Sequence, residues 1–236
     1  MADRLAPGVH ALWPNVAVVV QQGAEEGPSA LVQAGIHGDE IGGVHALQEM
    51  LEDGLAPLAG RLLVVPVMNP PAYRAQTRAA PGGLDLNRCF PGDPDHERDE
   101  LRLAARFMGL IEAERPALVA TLHESHKRYD PAVTPSFGQT LVYGVEPCPP
   151  LLERVVTDLN DNVRSLAERW ATQRYPVATS STEVIVDRFG CVGTCVETWM
   201  GFDLSRRVAM QREVVERLLE RVGMPLHYRG RGRLPA

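Results

Sequence analysis

Residues 30–51 read ALVQAGIHGDEIGGVHALQEML, and this stretch decides the architecture. Ala30–Ala34 is a short apolar run, the pattern of a strand buried in a sheet. Gly35-Ile36-His37-Gly38-Asp39-Glu40 interrupts it with two glycines. Ile41–Leu51 then places Val44, Leu47 and Leu51 on one helical face. Strand, turn and helix in that order form the alternation that builds an α/β sheet.

The same alternation runs outward in both directions. Val16–Val20, Leu62–Met68, Ala117–Leu122, Thr140–Tyr143 and Val192–Val196 read as strands. Leu62–Met68 is apolar throughout, the mark of a strand covered on both faces. Glu97–Glu114 reads as a helix with Leu101, Ala104, Met108 and Ile111 inward. Leu151–Trp170 is expected to be one long helix carrying the stripe Leu152, Val155, Val156, Leu159, Val163, Leu166 and Trp170. A last helix, capped by Asp203 or Ser205, carries Val208, Val215, Leu218, Leu219 and Val222. Residues 69–96, dense in Pro, Gly, Asn and Asp, read as a long loop. The expected fold is α/β: a mixed, largely parallel central sheet with helices on both faces. Residues 1–228 are expected to form one catalytic domain, and residues 229–236 (RGRGRLPA) a basic, disordered tail.

Composition excludes several classes. The chain has 236 residues, 44% of them hydrophobic and 23% charged, as in an ordinary globular protein. A net charge of −6 disfavours nucleic acid and anionic membranes as partners. No apolar run reaches the roughly 18 residues of a membrane span. The opening MADRLAPGVHALW lacks the basic-then-apolar pattern of a secretory signal, so a cytoplasmic location is expected. Cys89, Cys148, Cys191 and Cys195 form no CxxC pair. Cys191 and Cys195 lie four strand steps apart, about 13 Å, too far for a bridge. All four are read as small core residues in a reducing compartment. Of 24 basic residues, only Lys127 is lysine. Coding bias accounts for such an excess, although single arginines can still clamp carboxylates through their planar forks.

In a parallel α/β sheet, functional loops gather at the carboxyl ends of the strands. His37 and Glu40 lie just past the first of these ends, three residues apart. Imidazole nitrogen and carboxylate oxygen are suitable zinc ligands, and a catalytic zinc commonly takes three of them. The plain alternative is a helix-start glutamate beside an incidental histidine. A third ligand would come from another strand end, where Ala117–Leu122 delivers His123. His126 is a substrate contact or a solvated loop residue, and Glu124 has no assignment. His10, His45, His96 and His227 lack partners of this kind. In the long loop, Arg78 could polarise a carbonyl, and Asn87 with Arg88 offers donors that suit a substrate carboxylate. Without context, this DLNR stretch would be a surface turn. Glu197 ends the apolar run Val192–Val196, where a partly desolvated carboxylate suits a general base acting on water at a metal. Its alternative is a half-buried glutamate paired with an arginine.

Taken in order, HGDE (37–40), Met68-Asn69-Pro70, Arg78, DLNR with FPG (85–92), a strand ending in His123 and one ending in Glu197 resemble the zinc carboxypeptidase superfamily. That superfamily includes the digestive carboxypeptidases, the murein-peptide amidases and the succinylglutamate desuccinylase/aspartoacylase group. The motifs span about two thirds of the chain. The resemblance implies one zinc ion held by His37, Glu40 and His123, the ligand set familiar from carboxypeptidase A. It implies Arg78 as oxyanion stabiliser, Asn87 and Arg88 as carboxylate clamp, and Glu197 as the base. Carboxypeptidases also carry a mobile tyrosine between the third ligand and that glutamate. Here Tyr129, Tyr143 and Tyr175 are candidates, and none has a local match. The VETW stretch around Glu197 is as close to the deacylase pattern as to a peptidase.

The resemblance therefore implies amide hydrolysis in a small molecule or short peptide with a free carboxylate. A metallocarboxypeptidase-like hydrolase stands first and an N-acyl amino acid deacylase second. A non-catalytic carboxylate-binding protein on the same fold is the reading from another class. Aspartoacylase-type members carry an additional C-terminal domain that narrows the entrance. The 236 residues here are expected to leave none for it, which implies an open cleft and bulkier substrates.

Overall fold

The computed structural model describes residues 4–161, 163 and 165–230. In chain order, the strands are β1 (Gly8–Trp13), β2 (Val16–Gln22), β3 (Glu25–Ala34), β4 (Leu55–Pro57), β5 (Ala59–Val65), β6 (Leu118–Ser125), β7 (Thr140–Tyr143), β8 (Ala171–Arg174), β9 (Val192–Trp199) and β10 (Leu226–Tyr228). The helices are α1 (Gly42–Glu52), α2 (Pro70–Ala75), α3 (Asp99–Glu114), α4 (Pro150–Asn160), α5 (Ser181–Phe189) and α6 (Leu204–Arg221).

Eight strands form one sheet in the order β1-β2-β5-β3-β6-β9-β7-β8. The central run β5-β3-β6-β9 is parallel, and the pair β7-β8 is parallel too. The β1-β2, β2-β5 and β9-β7 pairings are antiparallel. The sheet is thus mixed and largely parallel, as expected. A two-stranded ribbon of β4 and β10 stands apart from it.

Strand alternation divides the interior into two layers. Ala30, Val32, Ala34, Leu62, Val64, Leu118, Ala120 and Leu122 face one way, against Val44, Leu47, Leu152, Val155, Val214 and Leu218 of α1, α4 and α6. Leu31, Leu63, Val65 and Val119 face the other way, against Leu103, Phe107, Ile111 and Ile185 of α3 and α5. Continuous apolar runs in β3, β5 and β6 follow directly, because both faces of these strands are covered.

Three expectations are corrected. The helix expected over Leu151–Trp170 ends at Asn160. The Asn160 side chain takes both backbone groups of Trp170: Trp170 N donates to Oδ1 and Nδ2 donates to Trp170 O, each at 2.9 Å. Asparagine and aspartate compete for backbone hydrogen bonds, and this pair returns the chain to the sheet as β8. Trp170 is buried as expected, but Leu166 is 75% exposed. Within the expected loop 69–96, α2 and a 3₁₀ turn at Leu86–Arg88 form. Asn69 caps α2 with Pro70 at its first turn, an arrangement favoured at helix starts. The strand expected over Leu62–Met68 ends at Val65, before Pro66. Of the expected Arg229–Ala236 tail, residues 231–236 lie outside the described residues, and Arg229 N donates to Gly54 O at 3.1 Å. Among the described residues, no helix is long and apolar enough to cross a membrane.

Candidate metal centre

The carboxyl ends of β3, β6 and β9 lie side by side, and each delivers part of one cluster. His123 is the partner of Glu197 in the β6–β9 register, and Ala34 is the partner of Leu122 in the β3–β6 register. Past Ala34 the chain turns at Gly35 (φ 64°), where a Cβ would lie 2.9 Å from Val44 Cγ2. At Gly38 a Cβ would fall 2.0 Å from the Ala72 carbonyl, so α2 packs directly on this turn. Only glycine permits that closeness. The packed turn holds His37 and Glu40 inward, 3% and 6% exposed.

Glu40 sits between the two imidazoles. His37 Nδ1 lies 2.7 Å from its Oε1 and His123 Nδ1 lies 2.8 Å from its Oε2. The rings meet edge-on, centroids 5.0 Å apart. One ligand atom from each of His37, Glu40 and His123 falls within 4.8 Å of the others. Two imidazole nitrogens and one carboxylate oxygen, buried and convergent, are a donor set that fits zinc. Asp85 supports it from behind: its Oδ1 lies 3.2 Å from His37 Nε2. A carboxylate on the far ring nitrogen fixes the tautomer and ring orientation of a metal-binding histidine. Sequence reading passed over Asp85. Its position in DLNR, two residues before Asn87, was the available signal.

Charges around the cluster are strongly coupled. Burial opposes the cationic form of His37, but the Glu40 charge and the Asp85 and Glu40 hydrogen bonds outweigh it and raise its pKa to about 9. Burial likewise opposes ionisation of Glu40, yet His123 and His37 hold it far below the usual carboxylate range. Glu197 behaves oppositely. Burial, reinforced by the Glu40 charge, pushes it up to about 8 against the pull of Cys195, His37 and Arg78. Its Oε2 is buried with no hydrogen-bond partner among the described residues. Its Oε1 accepts from Cys195 Sγ at 3.5 Å. Cys195, expected as a small core residue, therefore lines the site, and burial raises its thiol well above the usual range.

All seven sequence-derived candidates line one cavity of about 380 Å³. Arg78 is at its rim, with Nε on Asp85 Oδ2 at 3.0 Å and Nη1 within 3.8 Å of Glu40 Oε1. Asn87 is buried, and its Oδ1 accepts from Ser181 N and Oγ at 3.0 and 3.3 Å. That fixes the amide and leaves its NH₂ as the group offered to the cavity. Arg88 is exposed, and its Nη1 donates to Asn87 O at 2.9 Å. No carboxylate pairs with Arg88 among the described residues. His126 lines the cavity as well. Of the three tyrosines considered, Tyr143 and Tyr175 line it and Tyr129 does not. Tyr175 packs edge-on against Phe137, centroids 4.9 Å apart.

Glu124, unassigned from sequence, is structural. Its buried carboxylate accepts from Gly42 N at 2.9 Å, Thr198 Oγ1 at 3.2 Å and Arg207 Nη1 at 2.6 Å. It therefore ties the start of α1 to the ends of β6 and β9 and to α6.

This geometry coincides with a likeness in sequence. Residues 26–130 match the succinylglutamate desuccinylase/aspartoacylase catalytic domain. The resemblance carried by the motifs is borne out by that match. The matched stretch contains His37, Glu40, Arg78, Asn87, Arg88 and His123, while Glu197 lies beyond it. An N-alpha-acetyl-L-2,4-diaminobutyric acid deacetylase of Halomonas elongata is 49% identical over 114 residues, 48% of this chain and 32% of that protein. A succinylglutamate desuccinylase of Burkholderia lata is 42% identical over 91 residues, 37% of this chain and 24% of that protein. The matches thus span about a third or less of these relatives' length.

In structure, the chain shares the zinc carboxypeptidase-like fold. The cell shape determinant Csd4 of Helicobacter pylori aligns with a TM-score of 0.82 at 20% identity, over 91% of this chain and 57% of that one. A succinylglutamate desuccinylase/aspartoacylase from Rhodobacter sphaeroides aligns with a TM-score of 0.65 at 24% identity, over 89% and 59%.

Proposed function

We propose that this chain is a zinc-dependent hydrolase that removes the acyl group from an N-acyl amino acid carrying a free carboxylate. The observation that carries the reading is the convergence of His37, Glu40 and His123 beside a buried, unpartnered Glu197 oxygen. The three would hold one zinc ion. When bound, zinc supplies Lewis acidity toward a water and toward the scissile carbonyl.

The chain's own groups do the remaining work. Asn87 and Arg88 bind the substrate carboxylate through amide and guanidinium donors, which sets the position of the amide bond. Arg78, close to the ligand cluster, donates to the oxygen on which negative charge develops. Glu197 takes the proton from the attacking water and delivers it to the leaving nitrogen. Burial raises its pKa, which strengthens its ionised form as the acceptor of that proton.

The motifs alone placed carboxypeptidase-like cleavage first. The deacylase reading now leads, because the relatives matched in sequence are named as deacylases. Peptide cleavage is the second reading. It is favoured by the shape likeness to Csd4, described as a D,L-carboxypeptidase, and by the tyrosines at the cavity wall. A non-catalytic carboxylate binder has no need of the orphaned Glu197 or of three convergent ligands. The test is hydrolysis of a panel of N-acyl amino acids and short peptides by zinc-loaded protein and by Glu197→Gln. Glu197→Gln should keep its zinc and lose about two to four orders of magnitude in rate. A fully active variant refutes the assignment of the base, and turnover of peptides alone moves the reading to a peptidase.

A further inference from the structure

We propose that Cys195 is a positioning residue for the candidate base: its thiol holds Glu197 Oε1, so that Oε2 is the oxygen left free for the attacking water. The inference rests on the hydrolase reading and on Glu197 as its base. It is the same whether the substrate is an N-acyl amino acid or a peptide.

A base needs one oxygen anchored and the other open to a water's proton. The last torsion of a glutamate side chain is broad and two-fold, so its two oxygens exchange places unless one is held. The other carboxylates of the cluster are held from two sides, Glu40 by His37 and His123 and Asp85 by His37 and Arg78. Glu197 is held from one. Among the described residues no ion pair includes it, and the only hydrogen bond to either of its oxygens comes from Cys195 Sγ, 3.5 Å from Oε1.

The thiol is itself backed. Cys195 and Glu197 are two residues apart on β9 and so share a face. Thr121, the register partner of Cys195 on β6, is buried and hydrogen-bonds the thiol. Thr121 Oγ1 lies in turn 2.8 Å from Thr182 Oγ1, on α5 at the cavity wall. Each hydroxyl has one proton to give, and an ionised carboxylate only accepts. The donors therefore run one way, from Thr182 to Thr121, from Thr121 to Cys195 and from Cys195 to Glu197. A cysteine at its ordinary pKa of about 8.5 is a thiol at neutral pH, and burial takes this one further from the thiolate. Hydrogen bonds in series polarise one another in a desolvated site, which strengthens a donor as weak as S–H.

Two other roles explain less. A small core residue accounts for the burial of Cys195, but not for a buried threonine behind the thiol and a carboxylate in front of it. A metal ligand is the second, since ligand atoms of His123, Cys195 and Glu197 also fall within 4.8 Å of one another. His123 Nδ1 is already turned to Glu40, at 2.8 Å, and the two neighbours of the thiol take up its proton and its lone pair.

The test uses the zinc-loaded full chain, its Cys195→Ala and Cys195→Ser variants, and the same panel of N-acyl amino acids and peptides. Cys195→Ala should lower kcat about tenfold, the low end for a hydrogen bond to a charged group, with KM and zinc affinity within about twofold of wild type. Cys195→Ser returns an O–H donor and should recover most of that loss. An unchanged kcat in Cys195→Ala, a loss that serine does not restore, or parallel losses in KM and zinc affinity overturn the proposal. Infrared spectroscopy of the metal-free protein reads the contact without turnover. The Cys195 S–H stretch, isolated by subtracting the Cys195→Ser spectrum, should move toward that of a free thiol in Glu197→Met. If no substrate is hydrolysed, the hydrolase reading fails while a moving band upholds the pairing. A band that stays in place overturns the pairing whatever the activity. Cobalt-loaded protein should show no thiolate-to-cobalt absorption; such a band, lost in Cys195→Ser, would make Cys195 a ligand and overturn its role as donor.

Discussion

Replacing Arg207 by methionine should loosen the candidate metal centre from a distance. The Glu124 side chain is fully buried and that of Arg207 is 13% exposed. Their 2.6 Å contact is the only ion pair of Glu124 among the described residues. Methionine keeps much of the arginine stem's bulk and removes the charge. The carboxylate is then left buried with two neutral donors, Gly42 N and Thr198 Oγ1. Breaking a buried pair from one side costs about 3–5 kcal/mol, because the remaining charge is uncompensated. For a chain of this size, each kcal/mol is worth about 2–4 °C, so the melting temperature should fall by about 6–20 °C. The damage should reach zinc binding. Gly42 begins α1 two residues after Glu40, Glu124 follows His123, and Thr198 follows Glu197. Loosened support of this kind typically costs about 10–100-fold in metal affinity. Calorimetric melting with and without zinc, together with zinc titration against a competing chelator, reads both effects. A double variant, Glu124→Gln with Arg207→Met, should recover part of the lost stability, since no charge is then stranded. A single variant that melts within about 1 °C of wild type and binds zinc normally would refute the reasoning.

Zinc at about a thousandfold above its Kd should add about 4 kcal/mol of stability, and His37→Ala or His123→Ala should abolish that gain; an equal gain in either variant contradicts the ligand set. Arg88→Ala should raise KM at least tenfold for carboxylate substrates and have little effect on their amidated analogues, and equal losses on both would remove Arg88 from the clamp. Glu197 has a folded-state pKa of about 8, above its ordinary 4.5. Its neutral form therefore favours folding below pH 4.5, and that contribution fades as pH rises through about 8. Under chelation, wild type should lose stability relative to Glu197→Gln between about pH 5 and 8, as read by urea unfolding. Parallel stability curves would mean that the carboxylate is not desolvated.

Much of this fold is legible locally because a buried parallel sheet writes itself as unbroken apolar strands. β3, β5, β6 and β9 all stand out for that reason, and α1 and α6 show as amphipathic periods. Errors cluster where a side chain redirects the backbone. Asn160 holding Trp170 ends α4 early although the apolar stripe runs on. Asn69 with Pro70 starts a helix inside a segment whose composition reads as loop. The helix α5 and the outer strands β1 and β8 were not expected: α5 is only nine residues long, and β8, ATQR, carries a single apolar residue. Among site residues, Cys195 was misplaced in the core. Alternation along β9 puts it on the same face as Glu197, and a strand by itself does not say what that face meets.

Residue identity and order alone determined the α/β class and the strand ends at which chemistry would gather, through local properties such as periodicity and glycine turns. The ligands, clamp and base were open readings of donor type until the ordered motifs, by their resemblance to a known family, singled them out as candidates. Only the tertiary structure decided that three ligand atoms converge within 4.8 Å, that Asp85 backs His37 and that Glu124 is a fastening. Each of these depends on residues far apart in the chain, brought together by strand register and helix packing. Desolvation, which sets the strength of every charge in the site, exists only once the sheet and its helices have closed around them.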